Sequence, residues 1–236
     1  MRFDILTIFP EQVRNFLDES IIGRAQKNGI IEINTHNIRD YSKDKHKKVD
    51  DAPYGGGYGM LMATQPIVDC YDAVIKSIPE ASSKKVIYMS PRGSLFNQQK
   101  ALELSKLDNL IIICGHYEGI DQRVIDEIVD EEISIGDYVL TGGEVPACIV
   151  VDAVSRLVEG VLSDKECHEK DSIESGLLEY PQYTRPAEWH GRKVPEILLS
   201  GDHGRVDDYR MHEMRRVTKK YRPDLYRKYM EERGIY

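Results

Sequence analysis

Two short apolar runs, each ending in a glycine-containing turn, constrain the fold more than any other feature of this sequence. The first, Leu110 to Cys114, leads directly into residues 115–121, which contain Gly115 and Gly119. The second, Ile133 to Leu140, stops at Thr141-Gly142-Gly143-Glu144 and gives way to a helical pattern. In parallel α/β sheets ligands bind beyond the carboxyl ends of strands, where glycine allows close backbone approach. The pattern therefore predicts a site built from backbone and glycines. The alternative is that these are ordinary turn glycines.

The preceding part of the chain predicts the beginning of the same sheet. Phe3 to Phe9 reads as a buried strand, and Pro10 is well placed to open a helix. Ile30 to Asn37 alternates as a second strand, which gives a βαβ opening. Lys85 to Ser90 is a further strand that is predicted to end in a turn at residues 90–93. Additional helices are predicted at 21–27, 65–78 and 97–106. Three glycine-containing strand ends are thus expected to face one pocket.

A long polar segment, Arg39 to Met60, separates the second strand from the next helix. It ends in four glycines and two tyrosines, but the Lys-Ser/Thr pair that completes a P-loop is missing. Nucleotide hydrolysis is therefore disfavoured. Long loops in compact domains usually act as lids or binding segments, so a functional loop is expected.

The remaining chain predicts a change of domain. Val145 to Val158 is helical in pattern, with Gly160 as its end, and no convincing strand follows residue 174. We expect an α/β domain at residues 1–161, a linker at 162–174 and a small helical domain at 175–236.

Composition excludes some classes of protein. The chain has 236 residues, 41% of them hydrophobic and 31% charged, and no apolar run approaches the roughly 20 residues that cross a bilayer. A membrane protein is not expected. The four cysteines show no CxxC spacing, which favours inert thiols in a reducing cytoplasm.

Charge is distributed unevenly along the chain. The formal net charge is -8, yet Arg210 to Lys228 contains eight basic and two acidic residues. Such asymmetry predicts a local contact with a polyanion. The alternative is a solvated helix face, because surface helices are often rich in lysine and arginine.

Three segments carry a resemblance to a known family: Cys114–Asp121, Ser134–Glu144 and Asp171–Pro186. Here the sequence closely resembles the bacterial tRNA (guanine-N1)-methyltransferases, and the similarity extends over essentially the whole length. The resemblance implies a SPOUT-type parallel sheet with a deep trefoil knot and a small C-terminal helical domain. It also implies S-adenosylmethionine as methyl donor, a homodimer with the active site at the subunit interface, and guanosine 37 of tRNA as substrate.

The chemistry of that reaction needs a base and a cation. Guanine N1 carries a proton that a general base must remove, and a fixed cation near O6 stabilises the charge that develops there. Asp171 and Arg156 match the family's base and activating arginine. From the residues alone, a helix N-cap for Asp171 and a surface ion pair for Arg156 remain alternatives. Glu118 could offset the sulfonium charge or help to hold magnesium, although no closed metal site is evident.

The resemblance also implies binding residues. Apolar walls with backbone hydrogen bonds suit an adenine ring, and the absence of an early GxGxxG disfavours the Rossmann plan. The expected cofactor-binding residues are Ser90, Pro91, Gly93, Gly115, Tyr117, Gly119, Ile135, Gly136, Asp137, Tyr138, Val139, Leu140, Gly142 and Gly143. Those expected to contact tRNA phosphates are Arg215, Arg216, Lys219 and Lys220.

The sequence departs from the family pattern at four positions. His116 stands where arginine is usual, which puts in doubt any charge contact of that arginine, and Tyr58, Ile173 and Asp202 affect loop shape. Two rival hypotheses remain: a non-catalytic RNA-binding protein, and a methyltransferase of the same fold that acts on another RNA position or on ribose. Binding of S-adenosylmethionine would exclude the first rival, because an RNA-binding protein needs no methyl donor. A requirement for a base at guanine N1 would exclude the second, because the other reactions do not need one there.

Overall fold

The computed structural model describes residues 1–162 and 175–234. The chain divides into two compact units, Met1–Ser163 and Asp164–Tyr236.

A five-stranded parallel sheet forms the centre of the first unit. Its spatial order is β2-β1-β6-β5-β7, so the chain crosses over between neighbouring strands. The strands are β1 (Arg2–Thr7), β2 (Glu32–Asn37), β5 (Lys84–Leu95), β6 (Asn109–Ile113) and β7 (Glu131–Ser134). A separate antiparallel pair joins β3 (Asp50–Asp51) and β4 (Leu61–Met62). An α/β fold with a parallel sheet is thereby confirmed.

Helices cover both faces of this sheet. The helices are α1 (Pro10–Leu17), α2 (Ser20–Lys27), α3 (Thr64–Ser77), α4 (Gln98–Leu104), α5 (Gln122–Ile128) and α6 (Glu144–Ser155), with a 3₁₀ turn at Ile38–Tyr41. One face packs against α1, α2, α4 and α6, and the other against α3 and α5. As the sequence indicates, Pro10 is the first residue of α1.

Strand β6 shows why its sequence is apolar throughout. Every residue of the strand is buried. Leu110 and Ile112 pack in the cluster that contains α6, whereas Ile111 and Ile113 pack in the cluster that contains α3. Since successive side chains of a strand point to opposite faces, a central strand covered on both sides needs no polar alternation.

Three predicted boundaries in this unit are wrong. The expected turn at residues 90–93 is an irregularity within β5, which continues to Leu95 after a register shift between Met89 and Ser94. The run from Ile133 is a strand only as far as Ser134, since Gly136 takes a φ of 142°. The helix expected to reach Val158 ends at Ser155.

Among residues 175–234, the second unit has helices of 19 and 10 residues and a small hairpin. The helices are α7 (His203–Tyr221) and α8 (Pro223–Glu232), preceded by a 3₁₀ turn at Glu196–Leu199. The expectation of no strand is wrong, because β8 (Glu188–Trp189) pairs with β9 (Arg192–Lys193). Both turn residues between these strands have positive φ, as two-residue hairpin loops of type I′ require.

None of the helices within residues 1–162 and 175–234 is long and apolar enough to cross a membrane.

Candidate active site

The middle of β5 and the loops that follow β6 and β7 form a cavity of about 270 Å³. Its lining includes Ser90 within β5, Gly115 after β6 and Gly136 after β7. The structure therefore brings together the three regions that the sequence predicts to share a pocket, although the glycine of the first region, Gly93, does not line the cavity.

Direct backbone contacts join the turn after β6 to the turn before α6. The amide of Gly143 donates a hydrogen bond of 2.8 Å to the carbonyl of Gly115, and His116 pairs with Gly142 as an isolated antiparallel bridge. A Cβ atom on Gly143 would lie 2.8 Å from the Cα atom of Cys114. Only glycine permits this close approach, which sets the width of the cavity.

The floor of the cavity carries a neutral hydroxyl. A Cβ atom on Gly115 would lie 2.7 Å from the hydroxyl oxygen of Tyr88, so glycine is needed here as well. Burial, followed by the nearby carboxylate of Glu132, raises the pKa of Tyr88. The phenol accordingly stays protonated at neutral pH and adds no charge beneath a ligand.

The segment after β7 folds back on itself at the mouth of the cavity. The amide of Gly136 donates to Ser134 Oγ at 3.2 Å, and the amide of Tyr138 donates to the carbonyl of Gly136 at 3.0 Å. Tyr138, Val139 and Leu140 line the cavity and are also exposed, Val139 to 90%. An apolar ligand surface placed here would remove these side chains from water, which favours its binding.

His116 lies on the cavity wall, a placement that motif reasoning did not predict. Its ring contacts Phe9 and Tyr117 edge to face, with centroids 5.0 and 5.1 Å away. Its Nδ1 atom is buried and has no hydrogen-bond partner among the described residues. A Cβ atom on Gly142 would lie 2.7 Å from Nδ1 and 2.5 Å from Glu144 Oε2, so both polar groups flank that glycine.

Glu144 is a buried carboxylate directly behind the cavity. It is 2% exposed, and its Oε1 accepts a hydrogen bond of 2.7 Å from the Thr7 hydroxyl at the end of β1. Glu144 is also the first residue of α6, where the helix dipole favours negative charge. In the sequence it resembles an ordinary first-turn acid, and its partner lies 137 positions away, so no local signal identifies this contact.

Glu118 brings a carboxylate to the mouth of the cavity. Its side chain is exposed, and its amide donates to the carbonyl of Met60 at 3.0 Å. A Cβ atom on Gly59 would lie 2.5 Å from Glu118 Oε1. The long glycine-rich loop therefore ends against this carboxylate, while Tyr54 and Tyr58 are almost fully exposed to solvent.

Similarity to known proteins agrees with this arrangement. Residues 1–228 match the family described as tRNA (Guanine-1)-methyltransferase TrmD. The chain belongs to this family. The tRNA (guanine-N(1)-)-methyltransferase of Ruminiclostridium cellulolyticum is 58% identical, with 97% of each chain covered. The proteins of the same description from Lachnospira eligens and Clostridioides difficile are each 53% identical, and 98% of the present chain is covered in both comparisons.

Twelve of the fourteen residues that the family resemblance assigns to the cofactor lie on the cavity. They are Ser90, Pro91, Gly115, Tyr117, Gly119, Ile135, Gly136, Tyr138, Val139, Leu140, Gly142 and Gly143. Gly93 instead packs against the backbone of β7, and Asp137 is exposed outside the lining.

Of the three expected catalytic residues, the structure describes Glu118 and Arg156, and these two lie apart. Glu118 lines the cavity, and Asp171 lies outside the described residues. Arg156 is exposed and caps the C-terminal end of α6, whereas Gly143 caps the other end beside the cavity. A helix of 12 residues at 1.5 Å per residue separates those ends by about 18 Å.

The basic residues expected to contact tRNA lie on α7 in the second unit, and all four are exposed. Arg216 forms an ion pair of 2.6 Å with Glu213, while Lys220 lies 4.8 Å from the Tyr221 ring centroid. Arg215 and Lys219 complete the set. The ion pair leaves part of the Arg216 charge already compensated.

The part of the chain that the structure describes contains no preformed metal site. No group of three or more His, Cys, Asp or Glu side chains is arranged there to hold an ion.

Proposed function

We propose that this protein transfers a methyl group from S-adenosylmethionine to N1 of guanosine 37 in tRNA. The observation that carries the proposal is a single cavity formed by residues 88–91 of β5 and the glycine-containing turns after β6 and β7, in a chain of the tRNA (guanine-1)-methyltransferase family. The relatives named above are described as tRNA (guanine-N(1)-)-methyltransferases over nearly their whole lengths.

The cavity has the features that an adenosine group needs. A Cβ atom on Gly115, Gly142 or Gly143 would lie within 3 Å of other protein atoms, so only glycine permits the close packing of the turns that form the cavity. Ile135 and Leu140 add apolar surface suited to a flat ring. When bound, S-adenosylmethionine supplies an electrophilic methyl group on a positively charged sulfur. The carboxylate of Glu118 at the cavity mouth is suited to offset that charge.

We assign deprotonation of guanine N1 to Asp171 on the basis of the family resemblance. A carboxylate in water has a pKa near 3.9, so efficient proton transfer requires that bound RNA excludes water from it. The guanidinium of Arg156 is assigned to O6, where negative charge develops as the N1 proton leaves. Such a contact lowers the barrier because it strengthens in the transition state.

A homodimer is the proposed functional form. Within one chain, Arg156 and the cavity lie at opposite ends of α6, about 15 Å apart along the helix when measured from Pro146, which lines the cavity. A second copy can supply Arg156 to the cavity of the first. The exposed apolar residues Phe16 on α1 and Val145 and Ile149 on α6 offer a surface for that copy.

The finer features of the family complete the proposal. We infer that residues 1–161 have the deep trefoil knot of the SPOUT class, that 162–174 link the domains, and that 175–236 bind tRNA. Arg215, Arg216, Lys219 and Lys220 are assigned to phosphates, so neutralising each contact should reduce the slope of log K against log salt by about 0.7 to 0.9. The cytoplasm is the proposed location. The assay described below compares methyl transfer with and without magnesium.

The decisive experiment measures methyl transfer from labelled S-adenosylmethionine to two tRNA transcripts that differ only at position 37. Transfer to the guanosine transcript alone, with the label mapped to N1, is the expected result. Asp171→Asn should lower transfer by roughly 100-fold or more, because a positioned general base contributes about 10²–10⁴ in rate. Reactions with and without magnesium belong to the same assay.

Other outcomes would favour a different function. Equal labelling of both transcripts would retain methyl transfer and reject the assigned position. RNA binding without any labelling, in the presence of magnesium, would instead indicate an RNA-binding protein.

A further inference from the structure

A second cavity, of about 390 Å³, lies entirely within the second unit. Its apolar side includes Val194, Leu198 and Val206, and its polar side includes Tyr183 and Arg210. Ligand sites typically combine an apolar lining with a few well-placed polar groups. This cavity has that composition, and neither the cofactor nor the phosphate contacts proposed above use it.

Arg210 is held in place but uses few of its hydrogen-bond donors. Its guanidinium stacks on Tyr180, 5.0 Å from the ring centroid, and its Nη1 atom reaches Asp207 only at 3.5 Å. Its Nε atom is buried and has no acceptor among the described residues. A guanidinium carries five N–H donors in a rigid plane. Arg210 is therefore a cation held in place at the edge of the cavity, and some of its N–H groups are available to donate hydrogen bonds to a ligand.

Tyr183 provides an aromatic surface in the same cavity. The residue is 47% exposed, so part of its ring remains available to a ligand. Base stacking on aromatic rings is the usual means by which proteins hold unpaired nucleotides, and it tolerates any base. An arginine beside such a ring supplies hydrogen bonds to phosphate or base oxygens.

The charge of the surrounding chain favours RNA over a neutral peptide as the ligand. Arg210 begins the stretch to Lys228 that contains eight basic and two acidic residues. The exposed Arg215, Lys219 and Lys220 lie further along the same helix, α7. The second unit therefore carries a local excess of positive charge, which attracts a polyanion such as RNA.

We propose that the cavity binds one unpaired nucleotide of the RNA substrate. Its base stacks on Tyr183, and Arg210 donates hydrogen bonds to an oxygen of the same nucleotide. This inference rests on the proposed function only in taking RNA as the substrate. It adds a site that is distinct from the cavity of the first unit.

The test separates stacking from charge. Tyr183→Leu should weaken tRNA binding by roughly 5- to 150-fold, the range measured for loss of one base–aromatic stack, and should leave the salt slope unchanged. Tyr183→Phe keeps the ring and should bind as the wild type does. Lys220→Gln is the matched charge control, and it should reduce the salt slope by about 0.7 to 0.9. Affinity for S-adenosylmethionine should not change in any of these variants.

Removal of single bases identifies the nucleotide. Among anticodon stem-loop RNAs that each lack one base, one should bind wild type and Tyr183→Leu equally, because the contact is already absent. If Tyr183→Leu weakens every such RNA equally, or weakens none, the proposal is overturned. A measurement on the wild-type protein avoids any folding defect of the variant. When 5-iodouridine is placed in turn at each position of the RNA loop, one position should crosslink to Tyr183. Crosslinking only to other residues would overturn the proposal.

The outcome is separable from that of the proposed function. Wild-type methyl transfer to the guanosine 37 transcript would stand even if Tyr183 and Arg210 proved irrelevant to binding. Binding of a peptide in place of RNA at this cavity would overturn the inference and leave the methyl-transfer result intact.

Discussion

The two ends of the central sheet use polar groups in opposite ways. At the amino-terminal end, charged side chains are buried or half-buried and paired, as where Asp4 contacts Arg2, His36 and Asn109. At the carboxyl-terminal end, glycines and backbone groups shape a cavity, and the buried Nδ1 atom of His116 has no partner among the described residues. The difference indicates that one end stabilises the sheet while the other is kept available for a ligand.

The Asp4 cluster shows how a charge is accommodated in a strand. Asp4 is fully buried, and Arg2 Nε and Asn109 Nδ2 each donate to it at 2.8 Å. Burial alone would raise the pKa of this carboxyl, but hydrogen bonds from His36, Arg2 and Asn109 outweigh it and lower the pKa. The cluster joins the first half of β1 and the start of β6 to His36, near the end of β2, and none of its residues lines the cavity.

The largest effect on stability is expected from Asp4→Ala. Removing the carboxylate leaves the nitrogen atoms of Arg2, His36 and Asn109 without this partner, at a cost of about 3 kcal/mol. For a chain of this size the melting temperature should fall by roughly 6–12 °C. Asp40→Ala is the matched control, because Asp40 forms an exposed ion pair with Lys47 and should cost under about 1 kcal/mol. Weaker S-adenosylmethionine binding by folded Asp4→Ala would contradict the division between the two ends.

Gly142→Leu, at the carboxyl-terminal end, is expected to weaken cofactor binding more than it lowers stability. A side chain there collides with His116 and Glu144 and forces the cavity lining to shift, so S-adenosylmethionine affinity should fall on the order of 100-fold. Calorimetric titration measures the loss, and a melting curve shows whether the fold is retained. Gly204→Leu is the control, because its Cβ atom would meet nothing closer than 3.7 Å. Unchanged affinity in Gly142→Leu would reject the cofactor assignment of this cavity.

Thr7→Val should affect both stability and binding, because Thr7 is a buried hydroxyl at the cavity end of β1. Its loss leaves the buried carboxylate of Glu144 without a donor, at a cost of about 1–3 kcal/mol. Because Glu144 lies beside the glycines of the cavity, cofactor affinity should also fall. Thr7→Ser keeps the hydroxyl and should restore binding. If Thr7→Val binds cofactor normally, Glu144 belongs functionally with the stabilising end.

The smallest effect is expected for Glu131→Gln at the start of β7. Burial alone would raise the pKa of Glu131, but hydrogen bonds from Lys100, Lys85 and Ser94 lower it to about 2. The ionised carboxylate therefore contributes stability above its ordinary pKa of 4.5, and this contribution is lost as the pH falls towards 2. The variant should be less stable by about 1 kcal/mol at pH 7. Denaturant titrations should show this difference shrinking below pH 4.5, and a difference independent of pH would contradict the assignment.

The sequence predicts the regular part of the fold because the signals there are local. The apolar run at Leu110, the proline at the start of α1 and the helical periods of α3 and α6 each depend on neighbouring residues. Glycine spacing likewise predicts which turns approach one another, as the contact between Gly115 and Gly143 shows.

What the sequence does not predict depends on distant partners or on irregular backbone. Thr7 and Glu144 lie 137 positions apart, and neither carries a local sign of their contact. Strand β5 continues past Pro91 because Gly93 packs on β7, which no pattern within β5 reveals. The hairpin at Trp189 has strands of only two residues, too short for alternation to be visible. Its one available signal was the His190-Gly191 pair at the turn.

The strand order has a consequence for synthesis of the chain. Strand β1 ends at Thr7, yet one of its two neighbours, β6, begins only at Asn109 and is synthesised about a hundred residues later. At about 5–20 residues per second, β1 waits roughly 5–20 s with one edge unpaired. Open strand edges invite pairing with other chains. The cavity needs β7 and the start of α6 as well, so a nascent chain acquires its ligand site only after Glu144 has emerged.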